Sequence, residues 1–354
     1  MSTKMTSFRF AIGAALLALA GTPPVLAAGD GPEIARKKWS FSGPRGHFDQ
    51  NQLQRGFQVY KEVCSTCHGI KRIAYRNLMQ KGGPAFPEDG VRSLAAEARI
   101  DEIDPNSGKI VPRAGRLSDR FPSPYKNEAE ARSIHNGANP PDLSLIAKAR
   151  NVEYTGTLWA HPLSMAKDMV TGYQEGGADY LYALLTGYKD NAPAYRKEGL
   201  KLVAVAEASV PRGDKSILRC VAIEKATGKA DTCTSMADGM NYNMVYPGHQ
   251  IGMAQPIRDG QVKYGDGTPG TISNYAADVA SFLSWAGDPT HDERKSMGWQ
   301  VVLYLLITTI LLFIAKQRLW REVHWRWTNL VDQRERRFVV QRYEPSDHDQ
   351  LGYL

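Results

Sequence analysis

The chain has 354 residues with a net charge of +7, 23% charged side chains and only four cysteines, enough length for one large or two ordinary domains. The charge is concentrated at the ends: residues 29–315 hold 34 basic against 31 acidic side chains, a net +3. That near balance gives no basis for nucleic-acid binding and no strong field for steering a partner.

Lys4 and Arg9 precede a short apolar run at 10–20 (FAIGAALLALA), followed by Pro23-Pro24 and the small residues Ala27 and Ala28. This is the layout of a secretory signal peptide over residues 1–28, too short to span a bilayer, which needs about 20 apolar residues. Residues 29–296 are then expected on the outer side of the membrane. From Asp49 to Cys64 the apolar residues Leu53, Phe57, Tyr60 and Val63 recur at helical steps, with Asp49 or Asn51 as cap. The helix leads into Cys64-Ser65-Thr66-Cys67-His68.

Residues 80–141 are rich in Pro, Gly and charge and read as loops, with a short helix at Glu128–Asn136. A second apolar helix spans Ala178–Thr186 and closes at Gly187. Residues 189–250 read as loop-rich, with one hairpin between Leu218 and Ala230. Ser273 is expected to cap a helix carrying Tyr275, Val279, Phe282 and Leu283, which stops before Pro289. Little strand alternation is visible, so the domain reads as mainly α. Residues 297–315 are free of charge and long enough to cross a membrane. Lys316, Arg318, Arg321 and Arg326 follow, with Trp320, Trp325 and Trp327 at belt positions. The positive-inside rule places the tail, 316–354, in the cytoplasm, in agreement with the export signal.

Two cysteines three apart can serve as a redox dithiol, half of a zinc site or anchors for haem. A zinc site usually needs a second ligand pair, and Cys220 and Cys233 lack that spacing. No α/β pattern of a thioredoxin type surrounds the motif. The histidine that follows at once is the discriminating residue. CxxCH is the haem c attachment signature, because both thiols can add to the vinyl groups while the adjacent imidazole reaches the iron. One motif means one covalent haem c, with His68 as one axial ligand. For the opposite face, His47, His135, His161, His249, Met165, Met169, Met236, Met240, Met244 and Met253 stay open. Met253 stands in the compact loop GMAQP, although a methionine filling a gap in an apolar core gives the same pattern.

Gly56 and Tyr60, eight and four residues before Cys64, resemble the first helix of class I c-type cytochromes. The ordered segments RGFQVYKEVCSTCH, AYRNL, NGANPPDLSLIAKAR, DYLYALLTGY and IGMAQPI resemble the cytochrome c1 family over about residues 40–320. The resemblance implies a mainly α, class I c-type cytochrome domain with long loop insertions and one C-terminal transmembrane helix. It implies Met253 as the second axial ligand, and Pro141, Arg150 and Tyr180, with Asn136 as a further contact, in the haem pocket. Cys220 and Cys233, the other two thiols of an exported chain, are expected to form a disulfide, as in some bacterial members. The implied function is that of the electron-transfer subunit of quinol–cytochrome c reductase. It would take electrons from the Rieske iron–sulfur protein, pass them to a c-type cytochrome and sit beside cytochrome b in a dimeric complex of the bacterial inner membrane. The resemblance implies no catalytic acid, base or nucleophile. Two other readings share the motif: a free-standing membrane-tethered electron shuttle, and an exported haem sensor with an open sixth site.

Overall fold

The computed structural model describes residues 34–152, 161–210, 216–224 and 230–341, with side chains described as far as Arg321. The signal-peptide expectation and the tail beyond Gln341 lie outside the described residues. The chain divides into a domain that ends at Asp292 and a helical unit from Glu293 onwards.

The core of the domain is a pair of helices, α1 (Gln50–Glu62) and α7 (Ile272–Gly287). The Asp49 carboxylate caps α1 by accepting from the Gln52 amide at 3.1 Å, and Leu53, Phe57, Val59 and Tyr60 line its buried face. Thr271, not Ser273, caps α7: it is extended and accepts from the Asn274 amide, while the Ser273 hydroxyl sits in the first turn against Tyr182 Oη at 2.9 Å. The two helices cross at Gly56. A Cβ there would lie 2.1 Å from the Asp278 carbonyl oxygen and 2.7 Å from Phe282 Cβ, so only hydrogen allows this approach. Around the crossing, the Phe282 ring lies 5.5 Å from Phe57, 5.8 Å from Tyr60 and 5.6 Å from Trp285. The buried Asp278 carboxylate is held by Arg55 Nε at 2.9 Å, and Arg55 also reaches Asp266 at 2.9 Å. The hydrogen bond to Asp278 is the main reason the guanidinium's pKa is raised.

Between these helices come α2 (Glu88–Glu97), α3 (Glu128–Ile134), the single turn α4 (Ile146–Ala149), α5 (His161–Thr171) and α6 (Gly176–Thr186). α4 and α6 pack against α7 and against each other. Helices dominate, but the strand share is larger than the sequence suggested. β1 (Arg99–Ile103) and β2 (Ile110–Ala114) form an antiparallel hairpin in register Arg99 with Ala114. β3 (Ala194–Glu198) lies between β4 (Lys201–Val205) and β5 (Ile217–Arg219). β6 (Ala222–Glu224) pairs with β7 (Thr232–Thr234), and β8 (Asn241–Tyr242) with β9 (Gln250–Ile251). The segments expected as loops therefore contain α2 and a hairpin in 80–141 and several small sheets in 189–250. These strands run two to five residues and are largely solvated, so no buried face imposes a period-two pattern. α2 is masked in sequence by its own Gly90 and by the prolines before it.

The helical unit continues α8 (His291–Gln341), whose part His291–Arg321 is long and apolar enough to cross a membrane. It is longer than the expected 297–315, because α8 begins six residues before the apolar run.

Two outcomes test this architecture. Gly56→Ala should destabilise the domain by about 1–3 kcal/mol or more through overpacking, although alanine alone favours a helix by roughly 1 kcal/mol. A thermal melt showing stabilisation would contradict the close crossing. The second concerns Asp119, which Arg113 and the Arg116 amide hold. The Arg113 hydrogen bond is the chief cause that lowers its pKa to about 2. Its contribution is therefore present above the ordinary carboxylate range and lost as pH falls through about 2. Asp119→Asn should lower Tm near neutral pH, with the difference closing towards pH 2; a constant difference across that range would exclude the ionised pair as its source.

Candidate haem site

Helix α1 ends on the CSTCH motif, and a 3₁₀ turn over Cys64–Thr66 turns the chain. The Cys67 and His68 amides both donate to the Cys64 carbonyl, at 3.1 and 2.9 Å, and Tyr60 Oη donates to the His68 carbonyl at 3.0 Å. Cys64 and Cys67 are free thiols. Burial pushes the Cys64 thiol up to about 12, with Cys67 adding to the effect, so the thiol is neutral near pH 7.

His68 Nδ1 lies 2.7 Å from the Pro141 carbonyl oxygen. A carbonyl only accepts, so Nδ1 carries the proton and Nε2 keeps its lone pair. Burial lowers the His68 pKa, which favours the neutral ring that ligates metals. The segment holding Pro141 is itself fixed to the chain just after the motif. The Asp142 carboxylate accepts from the Lys71 amide at 2.9 Å and the Ser144 amide at 3.0 Å. The Leu143 amide donates to the Gly69 carbonyl at 2.8 Å, and Ser144 Oγ accepts from the Arg72 amide at 3.1 Å. Pro141 was expected against a porphyrin edge; its observed contact is this carbonyl, which orients the imidazole.

Met253 follows β9 and is partly buried. Tyr188 Oη donates to its carbonyl at 3.0 Å. A Cβ on the neighbouring Gly252 would lie 3.9 Å from Ala138, so the Met253 loop abuts the segment leading to Pro141. The other open candidates are placed differently. Met165, Met169, His47 and His161 are exposed, and Met240 and Met244 are more than one third exposed. Met236 packs against a separate small cluster of Ala192, Val221 and Tyr242. His135 Nε2 is bonded to Tyr125 Oη at 2.5 Å, and His249 Nδ1 faces the Asn243 carbonyl at 3.2 Å.

Comparison with known proteins was decisive. The Cytochrome C1 family profile matches residues 39–323. The chain belongs to the cytochrome c1 family. It is 42% identical to "Cytochrome c1" of Blastochloris viridis over 308 residues, 87% of this chain and 93% of that protein. It is 35% identical to the mitochondrial "Cytochrome c1, heme protein" of Saccharomyces cerevisiae over 80% of this chain and 70% of that one. Against "Cytochrome b/c1" of Bradyrhizobium diazoefficiens identity is 38% over 81% of this chain, which covers 35% of that longer protein. Cytochrome c1 proteins carry a covalently bound haem c and are the haem-bearing electron-transfer subunit of the cytochrome bc1 complex. Two free thiols on one turn beside an imidazole with a free Nε2 fit such a group.

The remaining cytochrome c1 positions gather nearby in part. Tyr180 on α6 is buried, which raises its pKa, while the charge of Arg150 acts to lower it. Arg150 caps α4, donating its amide to the Ile146 carbonyl at 3.0 Å, and is exposed. Tyr180 is in turn felt at Tyr188, the residue that holds the Met253 backbone. Asn136 takes a left-handed conformation (φ 51°) after α3. The sequence reading missed Asp142 and Tyr188. Asp142 had a local signal, an aspartate two residues before Ser144 that can fold back on the backbone; Tyr188 had none.

Cys220 and Cys233 form the expected disulfide, Cα atoms 5.3 Å apart, tying the end of β5 to β7. Closing a loop of this length contributes about 3 kcal/mol in the chain-entropy model. Replacing both with Ala should lower Tm, measured by calorimetry, and leave the pyridine haemochrome yield unchanged. Loss of covalent haem would instead make the bridge a condition of attachment.

Proposed function

We propose that Cys64 and Cys67 hold the haem through two thioether bonds, with His68 Nε2 and the Met253 thioether as its axial ligands. The observation that carries this reading is the 2.7 Å bond between His68 Nδ1 and the Pro141 carbonyl, which leaves Nε2 as the ring's only free lone pair. Haem iron supplies one-electron chemistry, and Met/His ligation raises its potential. The chain's own task is to fix both ligands and the propionate contacts. Arg150 offers a guanidinium to a propionate, and Tyr180 and Pro141 line the pocket. The crossing of α1 and α7 at Gly56 supports a class I c-type fold for the haem domain.

In this reading the chain receives electrons from the Rieske iron–sulfur protein and delivers them to a c-type cytochrome. It works within a dimeric bc1 complex next to cytochrome b. Residues 1–28 direct export, the haem domain lies in the periplasm, 297–315 anchor it in the inner membrane, and the tail from residue 316 faces the cytoplasm. The basic residues after the span support that orientation.

An optical redox titration tests the ligand set. Met253→Leu should keep covalent haem but lower the midpoint potential by on the order of 100 mV, a fraction of the roughly 0.8 V that axial ligation spans. Electron delivery to the acceptor should fall with it. An unchanged potential, or ready carbon monoxide binding by the unaltered reduced protein, would remove Met253 from the ligand set and favour a haem sensor with an open face.

A further inference from the structure

Helix α5 (His161–Thr171) is docked with its polar side inward. Seen down its axis, Leu163, Met165, Met169 and Val170 share one broad side with Pro162 and Ala166, and Ser164, Asp168 and Thr171 share the other. The polar side holds the domain. The Asp168 carboxylate accepts from Arg36 Nη1 at 2.9 Å and Nη2 at 3.3 Å, and the Arg36 guanidinium stacks 3.8 Å above the Tyr173 ring. At the end of the helix, a Cβ on Gly172 would lie 3.5 Å from Pro44 Cδ. The apolar side faces outward: Leu163, Met165, Met169 and Val170 are 57–83% exposed. Apolar side chains on a solvated helix normally point the other way, so a partner for this face is required.

The segment on which α5 docks also reaches the start of the membrane helix. Phe41 and Phe48, on either side of Pro44, pack on the His291 ring with centroids 6.2 and 4.9 Å apart, and the Phe48 amide faces the Asp292 carboxylate at 3.4 Å. His291 belongs to the domain and is the first residue of the span candidate His291–Arg321. The part of the domain that carries α5 is therefore the part from which the chain enters the bilayer.

The geometry points to a phospholipid surface as the occupant: the outward side of α5 rests in the boundary between headgroups and acyl chains of the membrane that the C-terminal helix enters. The inference rests on the reading of that helix as an anchor. The chemistry of the face favours lipid over protein. It presents unbranched and aliphatic chains with no aromatic or arginine anchor of the kind that dominates protein interfaces. Acyl chains need no directional contact, and Met adapts to a fluid surface. Lys167 borders the apolar side next to Leu163, where its stem can lie along the surface and its ammonium reach lipid phosphates. α5 thus acts as a second, in-plane attachment that limits rocking of the domain about a single span.

The test uses nitroxide labels on single introduced cysteines in the full chain, within its native complex, in vesicles of phosphatidylethanolamine and phosphatidylglycerol. Met169→Cys and Leu163→Cys probe the face. Ser107→Cys, at the exposed turn between β1 and β2, reports water, and Leu306→Cys reports the span. Power-saturation EPR compares access to dissolved oxygen, which partitions into lipid, with access to a water-soluble nickel chelate. The oxygen-to-nickel ratio at 169 and 163 should exceed that at 107 severalfold. Nickel access at 169 and 163 equal to that at 107 overturns the inference. So does exclusion of both reagents, which would mean that a protein subunit covers the face. If nickel also reaches 306, the anchor reading fails; if 306 is shielded while 169 is not, only this inference fails. Haem spectra of the labelled chains check that each variant is folded, and the two face positions serve as independent readings.

Discussion

The close approach of α1 and α7 at Gly56 is the constraint on which the rest of the structure depends. Because the motif follows α1 without a linker, whatever fixes that helix also fixes Cys64, Cys67 and His68. The missing side chain lets the Asp278 backbone come to where a Cβ would stand, and Phe282 then fills the space between Phe57 and Tyr60. The same contact brings Arg55 to the buried Asp278 carboxylate. A buried carboxylate without a partner would be costly, so the ion pair and the glycine crossing depend on each other. Tyr60 extends the arrangement one step further by donating from the packed face of α1 to the His68 carbonyl.

The helices set the base, and loops bring the polar groups to it, a division expected where ligands must be placed on a rigid frame. Two loops matter most. The 136–144 segment is held by backbone amides that Asp142 and Ser144 accept, and it turns one carbonyl onto the histidine. Pro141 suits that position because a proline carbonyl still accepts while its nitrogen has no hydrogen left to satisfy. The Met253 loop has no helix beneath it. Its backbone is tied to Tyr188, and the turn between β8 and β9 is organised by the buried Asn243, whose side chain accepts from Val245 and Tyr246 and donates to the Leu184 carbonyl. α6, through Leu184 and the following Tyr188, therefore supports this loop from the side that also carries Tyr180.

What the sequence made legible follows from which residues are buried. α1, α6 and α7 each bury one apolar side, so their periodicity exposed them, and the motif carried its own chemistry. The caps were less legible: Thr271 and Ser273 are both competent, and the Tyr182 hydroxyl decides between them by engaging Ser273. The small sheets could not be seen, since strands such as β1 and β4 keep most of their side chains in water. α5 escaped for the opposite reason. Its apolar residues do form a side, but the cluster sits in a short segment next to Gly172 and says nothing about which way that side turns. Only the Arg36–Asp168 pair reveals that it turns outward.

A second buried carboxylate, far from the haem motif in sequence, explains how the amino-terminal segment joins the domain. Asp179 on α6 accepts from Trp39 Nε1 at 2.8 Å, from the Lys37 amide at 3.0 Å and from Tyr173 Oη at 2.6 Å. Three donors compensate the loss of water around one charge, which is why an aspartate can stand inside an apolar helix face. The bond to Trp39 fixes the start of the segment that carries Phe41 and Phe48 to His291, where α8 begins. The bond to Tyr173 fixes the end of the α5 region. One side chain thus ties α6, which supports the Met253 loop, to both the segment at the head of the membrane helix and the outward apolar helix. Loss of that carboxylate would uncouple the anchoring elements from the haem domain while leaving the α1–α7 crossing intact, because the two charge networks share no residue.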